Sequence, residues 1–118
     1  MSIIKKFSRA FKGFVSVITA ETSIRIHVVT GILVLIAASW FKINRIELIV
    51  VLAIIFSIII LEGINTILER VIDLVEPRYK DIVREIKDAL AGLVMLASIG
   101  AVIIGIFIFW PYIEPLLK

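Results

Sequence analysis

Four stretches of the chain carry a regular hydrophobic pattern, and one differs in kind from the other three. From Ile3 to Ile18 the apolar residues Ile3, Phe7, Phe11, Phe14 and Ile18 recur at steps of three or four, while Lys5, Lys6, Arg9 and Lys12 take the opposite side. That spacing predicts one amphipathic helix over residues 1–20. A basic helix with an aromatic face lies in the membrane interface, rings toward the lipid and lysines toward the headgroups. Val28 to Phe41, Ile46 to Leu61 and Ala89 to Trp110 are nearly continuous in apolar residues. The first two are about 14 and 16 residues long, and a helix crossing about 30 Å of hydrocarbon needs roughly 20. Each therefore continues as helix into its more polar flank, because no water inside the bilayer can satisfy an unwound backbone. The predicted spans run over about 22–41, 46–65 and 89–110, with residues 70–88 as a charged connection broken at Pro77.

The stretch from Ile58 to Pro77, IIILEGINTILERVIDLVEP, changes character without any turn signal. At about 100° per residue, Glu62, Asn65, Glu69, Asp73 and Glu76 all fall within a sector of about 80° on one helix face. Counting inward from Phe41 and from Ile46 brings Glu21, Arg25 and Glu62 to one membrane boundary. Glu69 and Asp73 lie beyond it, and Lys87 and Asp88 meet the start of the third span at the same level. An ionised acid at bilayer depth costs on the order of 2.5–3.5 kcal/mol, so such a residue faces a cavity or a partner and marks function.

Composition agrees with a membrane protein: 61% of the 118 residues are hydrophobic and the mean hydropathy is +1.13, against roughly 45–50% apolar residues in soluble domains. The chain is one unit, 1–118, too small to enclose a large site alone, so oligomerisation is expected. With no cysteine and a single histidine, thiolate chemistry and a histidine metal centre are excluded. Lys5, Lys6, Arg9, Lys12, Arg25, Arg70, Arg78, Lys80, Arg84 and Lys87 fall on one side of the expected spans, and only Lys42, Arg45 and Lys118 on the other. This bias predicts a multi-pass protein of the cytoplasmic (inner) membrane, with the N-terminus and the 70–88 connection cytoplasmic and the C-terminus outside. Trp40, Phe41, Trp110 and Tyr112 then mark the outer interface. The net charge of +3 is read as attraction to anionic headgroups rather than to nucleic acid. The basic segment ahead of the first apolar run is too long for the n-region of a signal peptide, so the N-terminus is expected to stay in the mature protein. Ala97, Ala101 and Gly105 form a small-residue stripe suited to close helix packing.

Several carboxylates on facing helices suit a hard cation such as Mg²⁺, which takes oxygen ligands and arrives with substrate phosphates. Lys87 is a point charge suited to phosphate. Glu62, partly desolvated, suits a base acting on a hydroxyl held at headgroup depth, and Arg25 joins it as a candidate contact for the lipid substrate. Together these are the parts of phosphoryl transfer from Mg-ATP to a lipid alcohol. The chain has no Walker loop, no G-x-G-x-x-G fingerprint and no H-R-D or D-F-G element, which excludes the soluble kinase folds.

At AETSIRIH (Ala20 to His27), LEGINTILERVIDL (Leu61 to Leu74) and KDALAG (Lys87 to Gly92) the sequence resembles the small integral-membrane lipid kinases of prokaryotes, the diacylglycerol kinases and undecaprenol kinases. The resemblance covers essentially the whole chain. It implies an all-α integral membrane fold, with an N-terminal amphipathic surface helix and three transmembrane helices, assembled as a homotrimer with active sites shared between subunits. It also implies Glu62 as the general base, Glu21 and Glu69 as Mg²⁺ ligands at the nucleotide phosphates, and Asn65 and Asp73 as supporting polar residues. Lys87 and Asp88 match a nucleotide-contacting pair, and the loop holding Tyr79 and Lys80 aligns with one lying near the nucleotide. The RIH at Arg25 to His27 is more similar to the undecaprenol kinase branch. The expected activity is transfer of the γ-phosphate of ATP to undecaprenol or diacylglycerol, for phospholipid or cell-envelope lipid metabolism. The competing expectation is a small ion- or proton-coupled transporter using Glu62, although such a carrier would place its acid near mid-membrane.

Overall fold

The computed structural model describes residues 2–118; Met1, the first residue of the expected 1–20 helix, lies outside the described residues. Among them are four α-helices and no strand: α1 (Ile3–Ala20), α2 (Thr22–Phe41), α3 (Arg45–Val75) and α4 (Asp81–Ile113), followed by a 3₁₀ turn at Glu114–Leu117. Three of these, α2, α3 and α4, are long and apolar enough to cross a membrane. At 1.5 Å per residue α2 is about 30 Å long, whereas α3 and α4 reach about 46 and 50 Å, so both extend beyond a hydrocarbon core.

Each helix ends where local chemistry requires it. Ser2 caps α1 by accepting the Lys5 N–H at 3.3 Å. Near the end of α1, the Thr19 hydroxyl donates back to the Val15 carbonyl at 2.8 Å, a contact that favours bending. Glu21 alone then takes extended backbone angles and is at once the last residue of one helix end and the first of the next. The chain turns there, and Glu21 is set at the corner. α2 closes on Lys42, which adopts the left-handed conformation with φ 54° and donates its N–H to the Ala38 and Ser39 carbonyls. Asn44 opens α3 with a reciprocal cap: its Oδ1 accepts the Glu47 N–H at 2.9 Å and the Glu47 carboxylate accepts the Asn44 N–H at 3.1 Å. Tyr112 donates its hydroxyl to the same Glu47 carboxylate, fastening the far end of α4 to the cap of α3.

The second connection is shorter than its charge content suggests. Within the expected 70–88 connection, residues 70–75 continue the helix face read from Glu62 onward, residues 81–88 are helical as well, and the loop between α3 and α4 is only 76–80. The reason is that charged residues such as Glu, Lys and Arg are good helix formers, and only Pro77 forbids continuation: it restricts Glu76 to non-helical angles, observed as φ −139° and ψ 89°.

α3 packs between α2 and α4, with α1 lying against α2 and α3. Few residues are buried; Ile24, Ala38, Val51, Val83 and Ile108 form the apolar core. Among the glycines the tightest site is Gly31, where an added Cβ would stand 2.9 Å from Ile55 Cγ2. Gly105, in the Ala97, Ala101, Gly105 stripe, is not such a contact within one chain, since a Cβ there would meet nothing within 4 Å. The molecule measures 57 × 43 × 20 Å, about two helix diameters in its thinnest direction.

Candidate active site

Two groups of polar residues gather toward the end of the bundle where α1 meets α2 and α3 meets α4. The first is at Glu62, which is only 7% exposed in the apolar middle of α3. Its Oε2 lies 3.3 Å from Nδ1 of His27 on α2, although neither atom has a hydrogen bond in good alignment. Thr66, also buried, donates its hydroxyl to the Glu62 main-chain carbonyl at 3.1 Å, so that hydroxyl is spent on the backbone and not on the carboxylate. Beyond His27 an apolar cavity of about 220 Å³ opens among α2, α3 and α4, walled by Gly31, Val51, Ile55, Ala101 and Gly105.

The second group begins one turn further along α3. Glu69 lies beside the Asn65 amide and within electrostatic reach of Glu21, Asp73 and Lys87. Lys87 donates to Asp73 Oδ1 at 2.7 Å, a pair that ties the start of α4 to the end of α3. The side-chain oxygen of Asn65 is buried without a hydrogen-bond partner. The helix period puts Asn65, Glu69 and Asp73 on one face of α3, the bend at Glu21 brings a third carboxylate in from α1–α2, and the short Pro77 loop returns Lys87 to the same level. Glu21 and Glu69 are two carboxylates from separate segments, with an unpaired amide oxygen nearby. Mg²⁺ is commonly held by one or two carboxylates together with substrate phosphates, so this donor set fits such an ion.

The remaining expected residues lie at the margin. Tyr79 is 79% exposed and lies in the neighbourhood of Lys87. Lys80 is held by Glu76 at 3.1 Å, and Arg78 donates to the same carboxylate at 3.0 Å. Those two cations pull the Glu76 carboxyl below the usual range, the Arg78 hydrogen bond most. Asp88 is exposed. Arg25 does not join Glu62; its guanidinium donates to Thr22 Oγ1 at 3.2 Å on the exposed side of α2. His27 falls in the AETSIRIH stretch and Glu76 on the acidic face of α3, but neither pattern gives their contacts; for His27 only the facing helix reveals its neighbour.

A carboxylate buried in an apolar helix, next to a cluster of acids and one lysine at the bundle end, on helices long enough to span a bilayer, defines a small helical membrane protein with a polar site at one end. The family model described as prokaryotic diacylglycerol kinase matches residues 8–109. The chain belongs to that family, a family of lipid kinases. It is similar to a diacylglycerol kinase of Synechocystis sp., 36% identical over 105 residues, which cover 88% of this chain and 60% of that protein. It is similar also to an undecaprenol kinase of Bacillus subtilis, 29% identical over 107 residues, covering 91% and 87% of the two chains. A diacylglycerol kinase of Escherichia coli K12 is 26% identical over 110 residues, covering 93% and 90%. The chain thus spans about 60% of the length of the Synechocystis relative.

Proposed function

We propose that this protein transfers the γ-phosphate of Mg-ATP to the hydroxyl of a lipid alcohol, undecaprenol or diacylglycerol, at the cytoplasmic face of the inner membrane, as a homotrimer with shared sites. The observation that carries this proposal is the placement of Glu62: a carboxylate only 7% exposed, one to two helical turns from Asn65 and Glu69 on the same helix, where Glu21 and, from α4, Lys87 come within electrostatic reach of Glu69. A lipid hydroxyl enters from the membrane and a nucleotide from water, and this is the depth at which they meet. Glu62 removes the hydroxyl proton as the lipid oxygen attacks the γ-phosphorus and the bond to ADP breaks. Glu21 and Glu69 would hold Mg²⁺, with the Asn65 oxygen beside them. The ion, when bound, neutralises charge on the phosphates. Lys87, set by Asp73, presents its ammonium to the phosphates, and Tyr79, Lys80 and Asp88 lie on the nucleotide side. The basic, aromatic α1 rests on the headgroups with Arg25 near the lipid, the N-terminus cytoplasmic and the C-terminus outside.

The test is γ-phosphate transfer from radiolabelled ATP by the purified protein, with undecaprenol, diacylglycerol and ceramide offered side by side. Label in undecaprenol or diacylglycerol is expected. Label in none of them overturns the kinase reading in favour of a transporter.

A further inference from the structure

We infer that His27 is a positioning residue for Glu62: its Nδ1–H holds Oε2, leaving Oε1 as the oxygen that takes the proton of the lipid hydroxyl. The inference rests on the proposed role of Glu62 as base. It starts from two buried atoms, each without an aligned partner, that stand 3.3 Å apart on different helices. A carboxylate oxygen only accepts, and a neutral imidazole donates from one nitrogen and accepts at the other. The tautomer protonated at Nδ1 is the one that satisfies both atoms, after a small rotation of the ring.

Nothing else is placed to do this. Glu62 makes no ion pair with any other side chain among the described residues. From α4 the wall beyond His27 is formed by Ala101, Val102, Gly105, Ile108 and Phe109, and from α3 by aliphatic residues, so no titratable group other than His27 itself lines that cavity. On its own helix Arg25 is occupied with Thr22. An acid in apolar surroundings without a fixed partner is costly and free to rotate, and a base must be within hydrogen-bond reach of its proton to act. Close packing of α2 on α3 continues one turn beyond His27 at Gly31, where an added Cβ would stand 2.9 Å from Ile55 Cγ2. The imidazole thereby plays toward this carboxylate the orienting part that a buried acid plays toward the histidine of a hydrolase triad.

The experiment compares His27→Leu, His27→Asn and His27→Gln in the purified protein. The Asn amide nitrogen takes the place of Nδ1, and the longer Gln places its nitrogen near Nε2. His27→Leu is expected to lower kcat on the order of 10-fold or more while KM for ATP stays within about 2-fold, the pattern of a lost transition-state interaction. Asn is expected to restore most of the loss and Gln less. Unchanged kcat in His27→Leu, or Gln restoring as much as Asn, overturns the inference. Should the Leu variant fail to fold, the order of Asn over Gln still decides. The contact has a second readout that does not depend on turnover: the Nδ1 ¹⁵N resonance of His27 is expected to move in Glu62→Gln, and an unmoved resonance overturns the contact. A wild-type protein that labels no lipid but keeps this resonance shift refutes the kinase reading alone.

Discussion

At the scale of the residue, the site separates a carboxylate that lacks water from carboxylates that have it. Glu62 is enclosed by α2 and α3, so replacing it with Gln keeps the volume and the amide can still meet His27. Glu62→Gln is therefore expected to fold and bind nucleotide while kcat falls on the order of 10²–10⁴-fold, the usual contribution of a general base; near-normal kcat would remove that role. Glu21 and Glu69 differ, because they share a charge environment with Lys87 and Asp73. Glu21→Ala and Glu69→Ala are each expected to raise the Mg²⁺ concentration needed for half-maximal turnover, and an unchanged Mg²⁺ requirement in both would take them out of the metal site. Glu76 gives the pH prediction. Arg78, then Lys80, lower its carboxyl in the folded chain, so the order it lends to the 76–80 loop is complete above the unfolded value of about 4.3 and is lost as pH falls through the lower folded value. The side-chain carboxyl ¹³C shift of Glu76 is expected to titrate with a midpoint below about 4.3, and a midpoint at or above it would show that the loop contacts do not persist in solution.

At the scale of the element, the acidic stripe on α3 was readable because a helix face follows from spacing alone, and Glu62, Asn65, Glu69 and Asp73 needed no tertiary information. The spans were equally plain from their length and apolarity. What could not be read were features belonging to two helices at once. His27 sits on α2 with no titratable residue at helical spacing and acquires its meaning from Glu62 opposite. Gly31 is one small residue among several, and it matters because Ile55 faces it, whereas a Cβ at Gly105, in the more regular stripe, would meet nothing within 4 Å. The helical stretch 81–88 was hidden for another reason: charge density resembles a loop, but a helix made of Glu, Arg, Lys and Ile needs no core once it leaves the bilayer. Gly31→Ala tests the close approach. Its Cβ would stand 2.9 Å from Ile55 Cγ2, a branched group that cannot swing aside, so a destabilisation of about 1–3 kcal/mol is expected. Gly13→Ala, which meets nothing within 4 Å, is expected to be neutral or stabilising by about 0.5–1 kcal/mol. Unfolding in mixed micelles measures both, and equal stabilities for the two variants would show that α2 and α3 do not meet at Gly31.

At the scale of the whole molecule, one chain is a thin slab whose large apolar side chains mostly face outward; Leu74 is 84% and Phe107 77% exposed. Lipid covers some of that surface, and in the proposed trimer neighbouring chains cover the rest. The site itself supplies a separate argument for neighbours. Glu62 and Glu69 are seven residues apart on a continuous helix, about 10 Å along its axis, while reacting atoms must come within about 3–3.5 Å of each other. Either the bound triphosphate bridges that interval within one chain, or the acid cluster of one chain closes on the Glu62 of the next. Co-expressing chains that carry Glu62→Gln with chains that carry Lys87→Met separates the two arrangements. If sites are shared between subunits, some interfaces in the mixed assembly combine an intact Glu62 with an intact Lys87, and turnover is expected to rise well above that of either variant alone. If each chain builds its own site, every site in the mixture lacks one of the two residues, and turnover stays at the level of the parents.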